Sequence, residues 1–243
     1  MNGTFSSRAA LRLSARLLLA GQLLYILVTQ LHAGGDANDH PAIFTEYADN
    51  GIWTAVHLGQ FMSMAILLAG LIVLFFALDA RAATARLVGL CGAAAATASL
   101  ALYGVLQAVD GVALKQAVSA WASAPEAEKA ARFASAEAIR WLEWGMRSYQ
   151  DSAMGLASLL FAVSLARTAW VPRPIAYLMG LTGLTYLVQG WLAGSQGFTA
   201  AHSIAIVLGW LLSLVWMVWL AVVAWRMQES EFPSQNESRA ATL

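Results

Sequence analysis

The chain has 243 residues, of which 59% are hydrophobic and 12% charged, with a mean hydropathy of +0.62. Charged residues make up about 25% of a typical soluble domain, so this composition excludes an ordinary soluble protein. Several long uncharged runs instead predict an all-α, polytopic bundle of membrane helices with the lipid bilayer as its partner. The formal net charge is zero, which argues against a nucleic-acid partner, and the single cysteine, Cys91, excludes an internal disulfide.

The first predicted helix follows three arginines, Arg8, Arg12 and Arg16, and is centred on the apolar run 17–31. A basic start followed by a short apolar run is also the layout of a signal peptide. Because Leu11 and Leu13 lengthen the run and no small-residue cleavage pattern follows clearly, we predict that this helix is retained.

Five further helices complete a predicted six-helix transmembrane domain over residues 1–226. The residues between the first two helices, 33–51, are rich in acids and turn formers and are expected to be a loop. An amphipathic, interfacial segment is expected at 110–136, and the polar tail 227–243 is expected to be disordered in the cytoplasm. The later helices are predicted at 52–78, 87–109 and 137–169, with two more between 174 and 225, divided at 194–197.

Loop charges predict the orientation in the membrane. If both termini are cytoplasmic, nine of the 14 basic residues lie inside and ten of the 14 acidic residues lie on the other face. This distribution follows the positive-inside rule. Arginine and alanine are both abundant whereas lysine is rare, which is typical of a GC-rich bacterium, so the cell (inner) membrane of a bacterium is the predicted location.

Two short motifs hint at an internal repeat. Trp53-Thr-Ala-Val-His57 begins the second predicted helix, and Phe198-Thr-Ala-Ala-His202 begins the sixth. Tyr25, Tyr103 and Tyr186 recur about 80 residues apart, one in each pair of helices. Three related hairpins in parallel would explain both patterns, and chance similarity of apolar sequences is the alternative.

A charged stripe marks the start of the fourth helix, where residues spaced by three and four share one face. The apolar run that follows, 152–166, gives about 22 Å of helix, short of a hydrocarbon core of about 30 Å. The helix must therefore bring its last charged turn into the membrane, where charges usually face a wet cavity. The candidate ligand-binding residues are Arg140, Glu143, Arg147 and Asp151 of this stripe, with Gln107 and Gln189 at the same depth. A fixed ladder of ion pairs is the alternative interpretation.

All four histidines fall at the outer ends of helices or in the outer loop. Imidazoles together with a carboxylate suit zinc, iron or copper, although no HExxH or CxxC motif is present. The candidate metal ligands are His32, His57, His202 and Asp110. Haem held axially by His57 and His202 is a second interpretation of the same residues.

These patterns predict an outward-facing polar pocket that binds a small molecule or ion. An extension of this hypothesis is that the protein is a component of a transporter. The inner halves of the helices are almost purely apolar, which argues against a simple pore. Two alternatives stay open: a metal- or haem-dependent oxidoreductase or hydrolase at the outer leaflet, and a structural subunit whose segment 110–136 docks a partner. The sequence assigns no catalytic residue.

Overall fold

The computed structural model describes residues 7–78 and 83–227, and these contain helices and no strands. The all-α prediction is confirmed over this part of the chain. Most of the predicted tail 227–243 lies outside the described residues, as does Arg81, one of the nine basic residues assigned to the cytoplasmic side. The helices are α1 (Ser7–Thr29), α2 (His40–Asp49), α3 (Trp53–Leu78), α4 (Ala83–Ala108), a π-helix (Val109–Leu114), α5 (Lys115–Ala122), α6 (Glu126–Ala166), α7 (Arg173–Gln196) and α8 (Ala200–Arg226).

Within the described ranges, five helical stretches are long and apolar enough to cross a membrane. Four are α1, α3, α7 and α8, and the fifth is the continuous rod formed by α4, the π-helix and α5. A multi-pass membrane protein is therefore consistent with the helix lengths and compositions. The predicted sixth span falls in α6, whose charged residues distinguish it from the other five.

Helix α6 differs most from its prediction. An interfacial segment ending at residue 136 and a separate helix from 137 were expected, whereas one unbroken helix of 41 residues runs from Glu126 to Ala166. At 1.5 Å per residue it is about 60 Å long, twice the hydrocarbon thickness. The chain breaks earlier, at Ser123–Pro125, because Pro125 precedes the helix as its N-cap and ends any continuation from α5.

The expected loop 33–51 contains a further helix, α2. Asp39 caps it by accepting a hydrogen bond from the Ala42 backbone N–H, and Pro41 occupies its first turn. Its apolar residues Ile43, Phe44 and Tyr47 are buried in a small cluster. That cluster is completed by Trp53, Leu114, Val118 and Ala136. This small helix therefore covers one end of the bundle.

The long helices pack in successive pairs, α1 with α3, α4 with α6 and α7 with α8, and α6 also packs closely on α7. A Cβ atom on Gly155 would lie 2.8 Å from the Gly183 carbonyl oxygen, and one on Gly183 would lie 2.9 Å from that of Gly155. Only glycine permits so close an approach of two backbones. The pairing matches the order expected for three hairpins, whose common origin stays a prediction.

The two ends of the bundle differ in polarity. At one end, Arg12 Nε of α1 donates to the Ala224 carbonyl of α8 at 3.0 Å, so the start of α1 meets the end of α8. At the other end, where α1 ends and α3 and α8 begin, histidines and carboxylates collect. We call this second end the polar end.

Candidate functional site

A cavity of about 360 Å³ lies at the polar end of the bundle. Its walls come from the end of α1, the loop before α2, the end of α4, the middle of α6 and the first turns of α8. Aromatic rings, including Phe198 and Trp210, cover part of its surface. Seven of the ten predicted site residues line it: His32, Gln107, Asp110, Arg140, Glu143, Arg147 and His202.

Arg147 faces this cavity from the middle of α6. Its Nε donates to Asp151 Oδ2 at 2.9 Å, one helical turn away, and its Nη1 donates to the Tyr25 hydroxyl at 3.4 Å. Asp151 is fully buried behind it, which is why Asp151 does not line the cavity. Tyr25 also packs edge to face against Tyr103, at 6.2 Å between ring centroids. Two of the three tyrosines that recur about 80 residues apart in the sequence therefore lie together beside Arg147.

Arg140, about two turns earlier on α6, is held by more contacts. Its Nη1 donates to Glu143 Oε2 at 2.5 Å, and its Nη2 donates to the Ala37 carbonyl at 3.0 Å. The guanidinium stacks over Phe198 at 4.8 Å and Tyr47 at 5.5 Å, and only 1% of the residue is exposed. Both ion pairs are internal to α6, so each arginine is neutralised by a carboxylate of its own helix. The contacts that the two guanidinium groups make to other elements are to neutral groups.

Three further side chains converge beside the cavity. His57 Nε2 lies 2.9 Å from Asp110 Oδ2, and its Nδ1 lies 2.8 Å from the Trp53 carbonyl oxygen. His32 Nδ1 lies 3.0 Å from the Ala33 carbonyl oxygen. One donor atom from each of His32, His57 and Asp110 lies within 4.8 Å of the others. We call these three residues the His–Asp cluster.

Burial lowers the pKa of His32, which lies just beyond the end of α1. The nearby Asp110 charge opposes this effect but is the smaller influence. The imidazole is therefore neutral at pH 7, with one nitrogen available as a lone-pair donor. Burial also raises the pKa of the Tyr47 phenol, so its hydroxyl stays protonated beside Arg140.

The π-helix explains how Asp110 reaches His57. A π-turn disrupts the regular α-helical bonding of backbone carbonyls. Here the carbonyl of Asp110 accepts from Trp53 Nε1 at 2.9 Å, and that of Gly111 accepts from the Thr54 hydroxyl at 3.0 Å. A Cβ on Gly111 would lie 2.5 Å from His57 Cβ, so glycine is needed where α3 crosses the π-turn.

Three predicted residues lie outside the cavity wall. Asp151 is behind Arg147, and His57 is behind Asp110, where it lines a second, smaller cavity between α3 and α4. Gln189 donates to the Ala205 carbonyl at 3.2 Å and so joins α7 to α8. His202 lines the cavity beside Phe198 and is the one predicted metal ligand that is not part of the His–Asp cluster.

Two contacts of the site were missed from the sequence. Tyr47 and the Ala37 carbonyl both bind Arg140, and both belong to the segment expected to be a loop. The sequence Asp39-His-Pro41, a capping residue followed by proline in the first turn, is the signal that could have revealed α2 and placed Tyr47 on its buried face.

Several buried polar atoms of the cavity residues have no hydrogen-bond partner among the described residues. They are Gln107 Oε1, Asp110 Oδ1, Arg140 Nε and His202 Nε2. Buried polar groups are almost always paired, so these four atoms have hydrogen-bonding capacity left for a ligand. Other unpaired buried atoms, such as Gln22 Oε1 and Trp216 Nε1, lie on residues outside the cavity wall. No protein-family model matches the chain, and neither a curated protein nor a solved structure does.

Proposed function

We propose that this chain is a multi-pass membrane protein whose polar-end cavity binds a small molecule carrying an anionic group. The observation that carries the proposal is the cavity itself. Its volume of about 360 Å³ falls within the range of small-molecule sites, and aromatic walls with a few convergent charged groups are typical of such sites. Arg147 forms an ion pair with Asp151 on the side away from the cavity, and its guanidinium group would contact the ligand.

The proposed setting is a six-span bundle, with the C-terminal half of α6 as the sixth span and both termini cytoplasmic. Arg8, Arg12 and Arg16 near the start of α1 and Arg226 at the end of α8 support this orientation through the positive-inside rule. The cavity then opens on the outer side of the cell membrane.

Charge balance favours a ligand that is not a bare anion. Arg140 is neutralised by Glu143, Arg147 by Asp151, and Asp110 is paired with His57. A zwitterionic molecule would keep this balance, since its anionic group can meet Arg147 while its cationic group meets Glu143. Small amino acids have this chemistry, and the hydroxy acids, which lack the cationic group, are the comparison.

Binding is better supported than passage through the membrane. The large core below the cavity is built from apolar side chains such as Leu68, Leu71 and Phe161. Polar side chains are also buried along these helices, and two of them, Ser99 and Gln150, bond to each other. A role as a transporter component would require this half of the bundle to open. We therefore place ligand binding first and transport as its extension.

The second candidate is a metal-dependent membrane enzyme, which the His–Asp cluster favours. Haem ligation receives less support. Both ring nitrogens of His57 are already engaged, by Trp53 and Asp110, so an axial bond to haem iron would break one of these contacts.

The test is a thermal-shift panel of amino acids, hydroxy acids and inorganic phosphate on the protein purified in mild detergent. We expect stabilisation by one or more members, and loss of it in the double variant Arg147→Gln/Asp151→Asn, which removes both charges together. Arg132→Gln, in an exposed pair with Glu128, is the matched control and should bind normally. A panel with no binder, or equal binding by the folded double variant, would overturn the proposal.

A further inference from the structure

We propose that His32, His57 and Asp110 bind a divalent first-row transition metal ion in the wall of the cavity. The metal site depends only on the geometry of these three residues. One later step, the ligand that completes the metal's coordination, rests on the proposed function of the cavity.

The first argument concerns the proton on His57. Its Nδ1 lies 2.8 Å from the Trp53 carbonyl, and a carbonyl oxygen only accepts, so Nδ1 carries the proton. In a neutral ring Nε2 is then a lone pair, yet it faces the Asp110 carboxylate at 2.9 Å. Two acceptors so close need either a proton between them, on the ring or on the carboxyl group, or a metal ion.

The second argument is that His32 repeats the arrangement. Its Nδ1 lies 3.0 Å from the Ala33 carbonyl, so this nitrogen also donates and Nε2 is left as the lone pair. A proton shared by His57 and Asp110 gives no role to a second imidazole, whereas a metal ion would use the His32 ring, whose centroid lies 5.1 Å from that of His57. Metal-binding histidines usually donate their other nitrogen to a carbonyl or carboxylate, and here both do.

The third argument is that one carboxylate oxygen of Asp110 is free to bind a metal ion. Its Oδ1 is buried and has no hydrogen-bond partner among the described residues. Metal–ligand bonds of about 2.1 Å place two donors roughly 3–3.5 Å apart on a tetrahedral ion. The donors here lie within 4.8 Å of one another, so a small rotation of a side chain would close the set.

The donor set also indicates the metal. Two imidazoles and one carboxylate occur in zinc sites and in facial triads that bind Fe²⁺, and both types keep open positions. Mg²⁺ and Ca²⁺ prefer oxygen donors and are disfavoured. His32 and Asp110 line the cavity while His57 lies behind them, so the open positions face the cavity. A carboxylate ligand in the cavity could then bind the metal directly.

The experiment uses the full chain with an affinity tag free of histidine, purified in detergent and stripped with a chelator. Addition of Co²⁺ should give visible absorption bands, and elemental analysis after Zn²⁺ loading should give about one ion per chain. His32→Ala, His57→Ala and Asp110→Asn should each weaken binding by more than the roughly 10–100-fold typical of losing an outer-shell partner.

One histidine variant serves as the control. His40→Ala changes a histidine that lies outside the cavity wall and pairs with Glu137. It should bind one ion with unchanged affinity. Size-exclusion profiles and unfolding temperatures without metal identify variants that fail to fold, and Asp110→Asn keeps the shape of the side chain.

A wild-type protein with neither cobalt bands nor bound zinc would overturn the metal site. Binding that survives in folded His32→Ala and His57→Ala but is lost in His202→Ala would also overturn it. The thermal-shift panel on the chelated protein tests Arg147 separately, so the failure of one proposal can be told from the failure of the other.

Discussion

At the scale of single residues, the buried charges of α6 depend on a partner three or four residues away. Arg140 and Glu143 are each almost fully buried, with side chains 2% and 3% exposed. The pair was foreseeable from the sequence because residues at this spacing share a helix face. The partners from elsewhere, the Ala37 carbonyl and Tyr47, depend on α2 and could not be foreseen in the same way.

The Arg140 pair gives a prediction about stability. Arg140→Met leaves Glu143 buried without its counter-ion and should lower the free energy of unfolding by about 3–5 kcal/mol. The double variant Arg140→Met/Glu143→Met should be less destabilised than the single one. Reversible unfolding in mixed detergent measures both, and a double variant worse than the single would show that the pair itself stabilises the bundle.

Gly111 gives a second prediction. In Gly111→Ala the new methyl group would press on His57 Cβ, so α3 and the π-turn must separate, at a cost of about 1–3 kcal/mol. Gly145→Ala on α6 is the control, since its methyl group meets no atom within 4 Å and alanine favours a helix. Thermal unfolding compares them. Equal stability of the two variants would contradict the close contact described here.

At the scale of elements, long apolar helices were predictable and short or charged ones were not. The limits of α3, α7 and α8 follow from uninterrupted apolar runs, which local sequence decides. Helix α2 has only ten residues and gains its stability from packing on Trp53 and its neighbours. The π-turn that brings Asp110 to His57 depends on side chains of α3, so this part of the site is set by tertiary structure.

Lys115 attaches α2 to the rest of the bundle. Its Nζ donates to the carbonyls of Tyr47 and Ala48 at 2.7 Å and of Asn50 at 2.9 Å, at the C-terminal end of that helix. Lys115→Met should therefore loosen α2 by about 1.5–3 kcal/mol, the contribution of bonds from a charged donor.

Hydrogen exchange of residues 40–49 measures this effect, and we expect faster exchange there with little change in α7. Lys129→Met is the control, because Lys129 makes similar bonds to the Trp121 and Ala122 carbonyls at the end of α5. Unchanged exchange in α2 would mean that its apolar face alone holds it in place.

At the scale of the whole molecule, the arginines at the end of the bundle opposite the polar end predict the orientation in the membrane, because basic residues collect on the cytoplasmic side. Cys91 is the single cysteine and lies on an exposed face in the middle of α4, so a Cys91→Ser background should fold normally. In that background a new cysteine at Asn38 should react with a membrane-impermeant thiol reagent on intact cells.

A cysteine at Arg226 should react only after the cells are opened. The reverse pattern would place the cavity in the cytoplasm and leave the ligand site intact but facing inward. If cysteines at Asn38 and Arg226 both reacted on intact cells, the two positions could not lie on opposite sides of the membrane.

The confinement of two ion pairs to α6 has a consequence for motion. When α6 shifts against α1, α2 or α8, Arg140 and Arg147 carry Glu143 and Asp151 with them and lose only contacts to hydroxyl groups, a carbonyl and aromatic rings. A shift against α2 also breaks the contact of His40 with Glu137. The cavity can therefore widen without parting Arg140 or Arg147 from its counter-ion. The His57–Asp110 contact joins α3 to the π-turn, so it is not broken when α6 shifts in this way.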